Sequence, residues 1–591
     1  PTGSRYFYTY DSGKQLSYAL SDNGQEYNFV RDDFGNITTS ETRSRYADAE
    51  WPYGGTYRLL NMYSGEALGA TALAVGTEKF NPDAITQSWT MERADYMTYD
   101  EFCLYAKSKR DYLCMGEEEG GDRIIAKTAD VIGSYGTFFK LVANSNGSLS
   151  LLTSSSGYTK YLTAHADTGS PLLIEKEGEN GEPTAKQQWY LFADEYSTPK
   201  RIITNATYNA NGSYMTSFMD ALGHTTTYDY NATRGTLQSV TDPRGNTASY
   251  AYNADNDILE SVTAGGMSAS YTYANDALTG ISVANGACYT LEYDAFGRVT
   301  KTKVGARLLS ERIYDTETGL LTRQNYGNGQ YVTYTYDALD RVIKQVYNGD
   351  ETKPLRYYYG ADGQPAAVSD ALSDKLTRYV YDLSGRLAEK REYAGCALTS
   401  TQLSSSVRYT YSRTTGQLTD TAYTSSLGDV SMNYAYGDAS GQRRDTVHEI
   451  RRNGSLDVSY TYDALGRRTS RTTPVTAEQY TYADDPEAPA LTSTRVVSMI
   501  GVSGEVNYTY DENGNITHIR HYAQNQDFTY DALGQLTSYT DVDGNTYAYT
   551  YGNGNILTAT KNSAPYHTYA YTDAGWSDLL TAFDGGAITY D

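Results

Sequence analysis

"YTYDENGNITHI", residues 508–519, combines two alternating tyrosines with an aspartate and an Asn-Gly-Asn turn. Alternation places large side chains on one face of a strand, while Asp, Asn and Gly favour tight turns. Closely similar segments stand at 291–301, 379–390 and 460–470. A pattern that recurs this often predicts a repeat architecture in which each copy is one structural unit.

The copies follow one another at a nearly constant spacing of about 21 residues, with a less regular stretch between 412 and 483. We mark each copy by the residue at the Asp position of the Tyr-x-Tyr-Asp motif or of its degenerate form. These residues are Asp11, Asp33, Asn209, Asn231, Asn253, Ala274, Asp294, Asp315, Asp337, Gly360, Asp382, Ser412, Gly437, Asp463, Ala483, Asp511, Asp531, Gly552, Thr572 and Asp591.

Each unit is predicted to be a β-hairpin. Val506, Tyr508 and Tyr510 share one face of a strand, residues 511–515 form the turn, and Ile516 begins the returning strand. A lone hairpin is marginal in water, so we expect about eighteen copies to stack sideways, each burying its aromatic face on the next. The tyrosine hydroxyls are then expected to stay in water.

The composition argues against two classes of partner. The 591 residues include 61 Tyr, 12 Phe and 4 Trp, and no stretch approaches the roughly 20 apolar residues that cross a bilayer. The formal charge of −24 is spread along the chain, which argues against the Lys/Arg clusters of a nucleic-acid surface. We therefore expect no nucleic-acid partner and no membrane insertion.

Repeated Tyr-x-Tyr-Asp-x-x-Gly-Arg/Asn, followed by Leu, Ile or Val and then Thr, resembles the RHS/YD-repeat proteins. That family includes bacterial polymorphic toxins, the shell-forming component of insecticidal Tc toxins and the animal teneurins. The resemblance covers residues 1–44 and roughly 200–591. It implies a long β-ribbon that coils into a hollow shell, often around a C-terminal toxic polypeptide, and a secreted or cell-surface location.

Complete shells in the family use more repeats than this chain holds. We therefore expect a curved, open wall whose end strands are exposed. No signal peptide is visible at the start, and the last residues fall inside a repeat unit. We expect the natural protein to continue beyond at least one end, and the enclosed polypeptide to lie outside this chain.

The YD pattern stops at residue 45 and returns near residue 199. Three units of 40-odd residues begin at Tyr57, Phe102 and Leu149, and two of them close with Gln-x-Trp at 87–89 and 187–189. With "NMYSGEAL" in the first unit, this pattern resembles a ricin-type β-trefoil. We predict three regions: YD repeats over 1–45, a trefoil insert over 46–198, and YD repeats over 199–591.

The resemblance to ricin-type lectins also implies sugar sites, but the usual acid is missing from each unit. Its three positions hold Gly69, Cys114 and Thr163, while Trp89 and Trp189 are expected in the core. The carbohydrate-binding candidates that remain are Phe80, Asn81, Glu175, Asn180 and Gln187. Any retained site is expected to differ from the usual galactose site.

No pattern for catalysis, a metal or a cofactor stands out. The histidines of "HIRH", His518 and His521, are three apart and point to opposite faces of a strand, so we expect exposed side chains and no metal site. Cys103 and Cys114 either pair across a hairpin in an oxidising compartment or, as we favour, are small buried side chains. "TDPRGN", residues 241–246, is interpreted as an ordinary turn.

The sequence therefore predicts an all-β protein, with a coiled ribbon of YD hairpins as a partial shell and an inserted β-trefoil. We expect no enzyme activity, no catalytic residues and no cofactor. The favoured function is a shell that encloses or presents a C-terminal polypeptide, with the trefoil available for a glycan. The alternative is a carbohydrate-binding surface adhesin that uses the ribbon as its scaffold; a glycan-processing enzyme would need an acid/base pair that no motif supplies.

Overall fold

The computed structural model is built almost wholly from antiparallel strands. It describes residues 6–590 apart from 22–23, 45–55, 62–63, 65, 71–74, 79, 81–83, 94–101, 107–110, 119–120, 129–138, 144–148, 156–157, 165–172, 177–182, 194–199, 285, 414 and 438–445. Within these residues, no helix is long and apolar enough to cross a membrane.

One sheet of 39 strands forms the ribbon. Its strands are β1 (Tyr6–Tyr10), β2 (Leu16–Ser21), β3 (Gln25–Arg31), β4 (Ile37–Ser44), β17 (Ile202–Tyr208), β18 (Met215–Met219), β19 (Thr225–Tyr230), β20 (Leu237–Thr241), β21 (Thr247–Tyr252), β22 (Leu259–Ala264), β23 (Met267–Ala274), β24 (Ala277–Val283), β25 (Cys288–Tyr293), β26 (Val299–Val304), β27 (Arg307–Tyr314), β28 (Leu321–Tyr326), β29 (Tyr331–Tyr336), β30 (Val342–Tyr347), β31 (Leu355–Tyr359), β32 (Pro365–Asp370), β33 (Lys375–Tyr381), β34 (Leu387–Ala394), β35 (Leu403–Tyr411), β36 (Leu418–Ser425), β37 (Val430–Tyr436), β38 (Val447–Arg452), β39 (Ser455–Tyr462), β40 (Arg468–Thr472), β41 (Ala477–Asp484), β42 (Thr492–Gly501), β43 (Gly504–Tyr510), β44 (Ile516–His521), β45 (Gln524–Tyr530), β46 (Leu536–Thr540), β47 (Thr546–Gly552), β48 (Asn555–Lys561), β49 (Ala564–Ala570), β50 (Ala582–Phe583) and β51 (Gly586–Ala587).

A second sheet of 12 strands forms the trefoil lobe. Its strands are β5 (Thr56–Asn61), β6 (Ala67–Ala70), β7 (Val75–Glu78), β8 (Trp89–Arg93), β9 (Phe102–Ala106), β10 (Asp111–Glu118), β11 (Gly121–Thr128), β12 (Lys140–Ala143), β13 (Leu149–Ser155), β14 (Tyr158–Thr163), β15 (Leu173–Lys176) and β16 (Trp189–Ala193). Two short 3-10 turns, Ile85–Gln87 and Ala185–Gln187, precede the Gln-x-Trp strands β8 and β16.

In the ribbon, each strand pairs with the strand that precedes it and the strand that follows it. The pairing register shifts by one residue just before the second tyrosine of each complete motif, as at Thr509/Tyr510. This bulge accompanies a turn in which Gly514 adopts φ +90, a left-handed conformation that glycine tolerates. The predicted hairpin over 506–516 is confirmed, with β44 beginning at Ile516.

The hairpin turns lie on two opposite edges of the ribbon. We call the edge that carries the turns after the Tyr-x-Tyr-Asp motifs the YD edge; it includes residues 294–298, 337–341, 511–515 and 531–535. We call the other edge the return edge; it includes the turns at 220–224, 242–246, 265–266 and 305–306, which join one motif hairpin to the next.

The trefoil lobe has the strand pairing of a small barrel closed by hairpins. Strand β5 pairs with both β8 and β16, and β13 pairs with both β12 and β16. Three further hairpins, β6–β7, β10–β11 and β14–β15, come one from each sequence unit. Trp89 and Trp189 lie in the core with Leu59, Leu68, Met91, Leu104, Leu113, Phe139, Leu151 and Leu162.

The lobe interrupts the chain without interrupting the ribbon. Strand β4 pairs directly with β17, with Thr42 opposite Ile202. The predicted fold class, an all-β coiled ribbon of YD hairpins with an inserted trefoil, is confirmed. The predicted limits at 45/46 and 198/199 lie among residues outside those described and stay a prediction.

Candidate functional site

The aspartate of the motif builds the turn that follows it. The Asp337 Oδ1 atom accepts hydrogen bonds from the backbone N–H groups of Leu339, at 2.9 Å, and Arg341, at 3.0 Å. The same pair of bonds is present at Asp294, Asp382, Asp463 and Asp531, and Asp511 Oδ1 accepts from the N–H of Asn515 at 2.8 Å. In the second unit this role belongs to Asp32, so the sequence assignment of the motif to Asp33 was wrong by one residue.

The arginine of the motif links its own turn to the next hairpin. Arg386 Nε donates to Asp382 Oδ2 at 2.8 Å, and its Nη1 donates to the Gly416 carbonyl at 3.2 Å. Its guanidinium carbon lies 4.4 Å from the ring centroid of Tyr411, which gives a cation–π contact. Equivalent contacts join Arg298 to Tyr314, Arg341 to Tyr359 and Arg467 to Tyr482.

The second tyrosine of the motif bonds back to the preceding hairpin. Tyr411 donates its hydroxyl to the carbonyl of Leu387, the residue that follows Arg386, at 2.9 Å. The same bond is made by Tyr293, Tyr314, Tyr336, Tyr359, Tyr462, Tyr482, Tyr510, Tyr530 and Tyr551. The expectation that the hydroxyls stay in water is therefore wrong for this position, because the carbonyl of the neighbouring hairpin lies within reach.

The ribbon winds once and then meets itself along a seam. Hydrogen-bonded pairs across this seam between residues 242 and 578 are separated by 266 to 289 positions, which is roughly thirteen hairpins; Gln25 and Leu465 are separated by 440 because the inserted lobe lies between them. The return edge between residues 25 and 307, the first winding, contacts the YD edge between residues 465 and 578, the second winding. The expectation of an open wall is wrong, because the curvature of the sheet brings the two edges into contact from residue 465 onward.

Arg244 is the best-connected side chain of the seam. Its Nη2 and Nη1 atoms donate to the carbonyls of Tyr530 and Asp531 at 3.1 and 3.2 Å, and Nη1 lies 3.4 Å from Asp511 Oδ2. Beside it, Asn513 donates to Asp242. The segment 241–246 does form a turn, as predicted, and the same turn also carries this contact.

The seam ends in a clasp formed by the last irregular segment of the ribbon. Trp576 Nε1 donates to the Tyr289 hydroxyl at 3.1 Å, and that hydroxyl donates to Asp578 Oδ2 at 3.1 Å. Arg307 pairs with Asp573 at 3.1 Å. Burial, followed by the carboxylate of Asp578, raises the pKa of Tyr289, so its hydroxyl remains protonated at neutral pH.

The two predicted carbohydrate-binding side chains that the structure describes are buried. The ring of Phe80 is 5% exposed and packs against Tyr18 of the ribbon, with centroids 5.7 Å apart. Gln187 is buried and donates to Thr163 Oγ1 at 3.3 Å. Asn81 and Asn180 lie outside the described residues, and so does the side chain of Glu175 in β15. The sugar-binding role of the five residues stays a prediction.

Sequence reasoning missed a carboxylate in the first trefoil unit. A Cβ atom added at Gly69 would lie 2.3 Å from Glu78 Oε1, so the carboxylate of Glu78 stands where a side chain at position 69 would be. Glu78 also accepts a hydrogen bond from Thr86 Oγ1 at 2.8 Å. The signal was present in the pairing of β6 with β7, which places Gly69 opposite Gly76, two residues from Glu78.

An apolar contact fixes the lobe to the ribbon. Tyr18 and Leu20 of β2, with Phe7 of β1, pack against a set of lobe side chains. The lobe contributes Leu60, Ala67, Phe80, Tyr190 and Phe192. Phe7 meets Tyr190 and Phe192 edge-on, with ring centroids 6.0 and 6.2 Å apart. The lobe therefore covers part of the first strands of the ribbon.

The two histidines of "HIRH" have separate partners. His518 Nδ1 lies 2.6 Å from Asp527 Oδ1, and His521 Nε2 lies 2.7 Å from the Ser503 carbonyl. The described residues contain no group of three His, Cys, Asp or Glu side chains that could hold a metal ion. The side chains of Cys103 and Cys114 lie outside those described, so their pairing stays open.

Family models match two parts of the ribbon. Residues 244–437 match the teneurin YD-shell family and residues 530–564 match the RHS repeat. No curated protein matches the chain. Residues 244–437 and 530–564 are therefore similar to YD-shell and RHS repeats, and the resemblance predicted from the tyrosine motifs is confirmed.

Solved structures are similar to this chain at low sequence identity. The crystal structure of TcdB2-TccC3 without its hypervariable C-terminal region is 13% identical, with a TM-score of 0.50, and covers 98% of this chain. The Photorhabdus luminescens Tc holotoxin pore is 14% identical, with a TM-score of 0.47. This chain spans about one third of each of these proteins, 34% in both cases. The Rhizoctonia solani agglutinin is 15% identical, with a TM-score of 0.21, and covers 25% of this chain and 99% of its own.

Proposed function

We propose that this chain is a structural, non-enzymatic wall segment of a secreted or cell-surface RHS/YD-repeat protein, and that the wall encloses or presents a polypeptide. The observation that carries this proposal is the seam. A ribbon that meets itself after one winding surrounds a space, whereas a flat stalk of hairpins would not. The described part of the wall is held by turn, cation–π and tyrosine bonds, and nothing in these contacts resembles an acid/base pair.

A passenger experiment tests the enclosing role. An unstructured, protease-sensitive polypeptide is fused after residue 591, and its digestion is followed by mass spectrometry. We expect digestion at least roughly tenfold slower than for the same passenger expressed without this chain. Equal digestion rates for the fused and the free passenger would contradict enclosure, and binding of the free passenger to the wall would then support presentation instead.

Glu78 favours a second candidate function, glycan binding by the first trefoil unit. Ricin-type sites use a carboxylate to accept hydrogen bonds from sugar hydroxyls, and the usual position of this acid holds Gly69 in the first unit. The carboxylate of Glu78 occupies the space beside Gly69 where that acid would lie. A glycan array with the intact chain, Glu78→Gln and a deletion of 46–198 tests this function. Competable binding lost in both variants supports it. Binding that survives Glu78→Gln excludes Glu78 as the ligand-binding acid.

A further inference from the structure

The turns of the YD edge carry apolar side chains at their tips. The residue two positions after the motif aspartate is Phe296, Leu339, Leu465 or Leu533 in four of the turns. Within the seam, Leu465 is 6% exposed and Leu533 is 39% exposed. A Cβ atom at Gly265 of the first winding would lie 2.6 Å from Leu533 Cγ. These tips therefore pack against the return edge of the neighbouring winding.

Three apolar tips of the YD edge between residues 294 and 386 are exposed, and the ring of Phe296 is contacted from its own turn by the Arg298 guanidinium, 5.1 Å from the ring centroid. Phe296 is 79% exposed and Leu339 is 72% exposed, and Leu383, which directly follows Asp382 at a later turn of the same edge, is fully exposed. We call these three side chains the free YD rim. Because the seam joins the return edge of residues 25–307 to the YD edge of residues 465–578, the YD turns at 294–298, 337–341 and 382–386 lie outside it and carry exposed tips.

The opposite end of the coil has a matching surface. The second winding gives its YD edge to the seam, so its return edge remains uncovered. Exposed apolar tips follow this edge at Val475, Val502, Tyr522 and Val542. We call these four side chains the free return rim. One end of the coil therefore exposes a YD edge and the other end exposes a return edge. These are the two kinds of edge that meet in the seam inside the molecule.

We propose that the free YD rim is a docking surface for the free return rim of a second copy of this chain. The contact continues the established seam, because the same edge types and the same tip positions meet. It is heterologous, so each pair leaves one free rim at either end and association can continue in a row. This inference concerns how two walls join and does not depend on an enclosed polypeptide.

Paired variants test the proposal by sedimentation and light scattering up to about 100 µM. We expect the weight-average mass of the intact chain to rise with concentration. Phe296→Asp with Leu339→Asp should raise the midpoint of association roughly tenfold or more, because two desolvated tips become charged. The matched control is Val380→Asp with Ile313→Asp, which adds the same charge to exposed positions on a sheet face and should leave the midpoint unchanged.

A complementation experiment separates a head-to-tail contact from a symmetric one. The chain with Phe296→Asp and Leu339→Asp keeps its return rim, and the chain with Val475→Asp and Val502→Asp keeps its YD rim. Each alone should remain monomeric, and their mixture should form a dimer that grows no further. An intact chain that stays monomeric, a control pair that also loses association, or a mixture that does not associate would overturn the proposal.

Discussion

Tyr411 shows why tyrosine, and not phenylalanine, holds the second aromatic position of the motif. Its ring lies under the Arg386 guanidinium and its hydroxyl bonds the Leu387 carbonyl of the preceding hairpin. Burial raises the pKa of Tyr411, so the hydroxyl stays protonated and can donate at neutral pH. A phenylalanine would keep the cation–π contact and lose the hydrogen bond.

Tyr411→Phe should lower the local free energy of unfolding by about 1 kcal/mol, because the half-buried Leu387 carbonyl loses its side-chain donor. Native-state hydrogen exchange of the amides in β34 and β35 measures this change. Tyr409→Phe is the matched control, since Tyr409 lies two residues earlier in β35 and its hydroxyl makes no hydrogen bond to a neighbouring hairpin within the described part of the ribbon. Equal effects of the two substitutions would contradict a specific role for the hydroxyl.

The motif aspartates make the ribbon sensitive to acid. The Arg341 guanidinium lowers the pKa of Asp337, and the backbone N–H of Arg386, followed by its side chain, lowers the pKa of Asp382. A carboxyl group whose pKa is lowered in the folded protein stabilises it above the unfolded pKa of about 3.9. That stabilisation is lost as the pH falls through the lower, folded value.

We therefore expect the thermal midpoint of the intact chain to fall between pH 5 and about pH 3. The double substitution Asp337→Asn with Asp382→Asn should reduce the difference between the thermal midpoints at pH 5 and about pH 3. An asparagine amide oxygen still accepts the turn N–H bonds, but the side chain does not titrate. Asp429→Asn with Asp457→Asn serves as a control at exposed positions outside the motif. If the thermal midpoint changes equally with pH in both double variants, the motif aspartates are not the source of the acid sensitivity.

At the scale of elements, strand β2 determines how the trefoil lobe is held. Tyr18 and Leu20 are buried against the lobe, and Tyr18 covers the ring of Phe80. A lobe attached only through its two chain connections would move independently of the ribbon. The buried contact instead makes the lobe and the first strands one packed unit.

Tyr18→Ala should destabilise the contact between lobe and ribbon by about 3 kcal/mol, as expected for removal of a large buried aromatic side chain. We expect calorimetry to show the lobe unfolding as a separate transition at lower temperature than in the intact chain. Tyr8→Ala, at an exposed position of the adjacent strand β1, should leave the transitions in place. A lobe transition unchanged by Tyr18→Ala would show that the contact contributes little.

At the scale of the whole molecule, the seam determines whether the ribbon remains closed. Arg244→Ala removes the contacts to Asp511 and to the carbonyls of Tyr530 and Asp531. We expect faster hydrogen exchange and proteolysis over 511–535. The control is Arg234→Ala, because among the described residues the Arg234 side chain bonds the adjacent hairpin, at Asn253, Ala254 and Asp257, and not the seam. Faster digestion at 511–535 in the control as well would contradict the seam's specific role.

The local repeat could be predicted from the sequence because each hairpin is encoded within about 21 consecutive residues. The turn at 511–515 needs only Asp511, Gly514 and their neighbours. The seam could not be predicted, because Arg244 and Asp531 are 287 positions apart and belong to different motif positions. Phe80 is a similar case: its aromatic character suggested a sugar platform, whereas its burial depends on Tyr18 of another element.

The direct pairing of β4 with β17 has an evolutionary consequence. Thr42 and Ile202 are neighbours in the sheet although a complete lobe separates them in the chain. The sheet requires only that the two ends of the guest emerge about one strand spacing, roughly 4.8 Å, apart. Recombination can therefore exchange the guest for another compact domain at this point without any change in the hairpins of the ribbon.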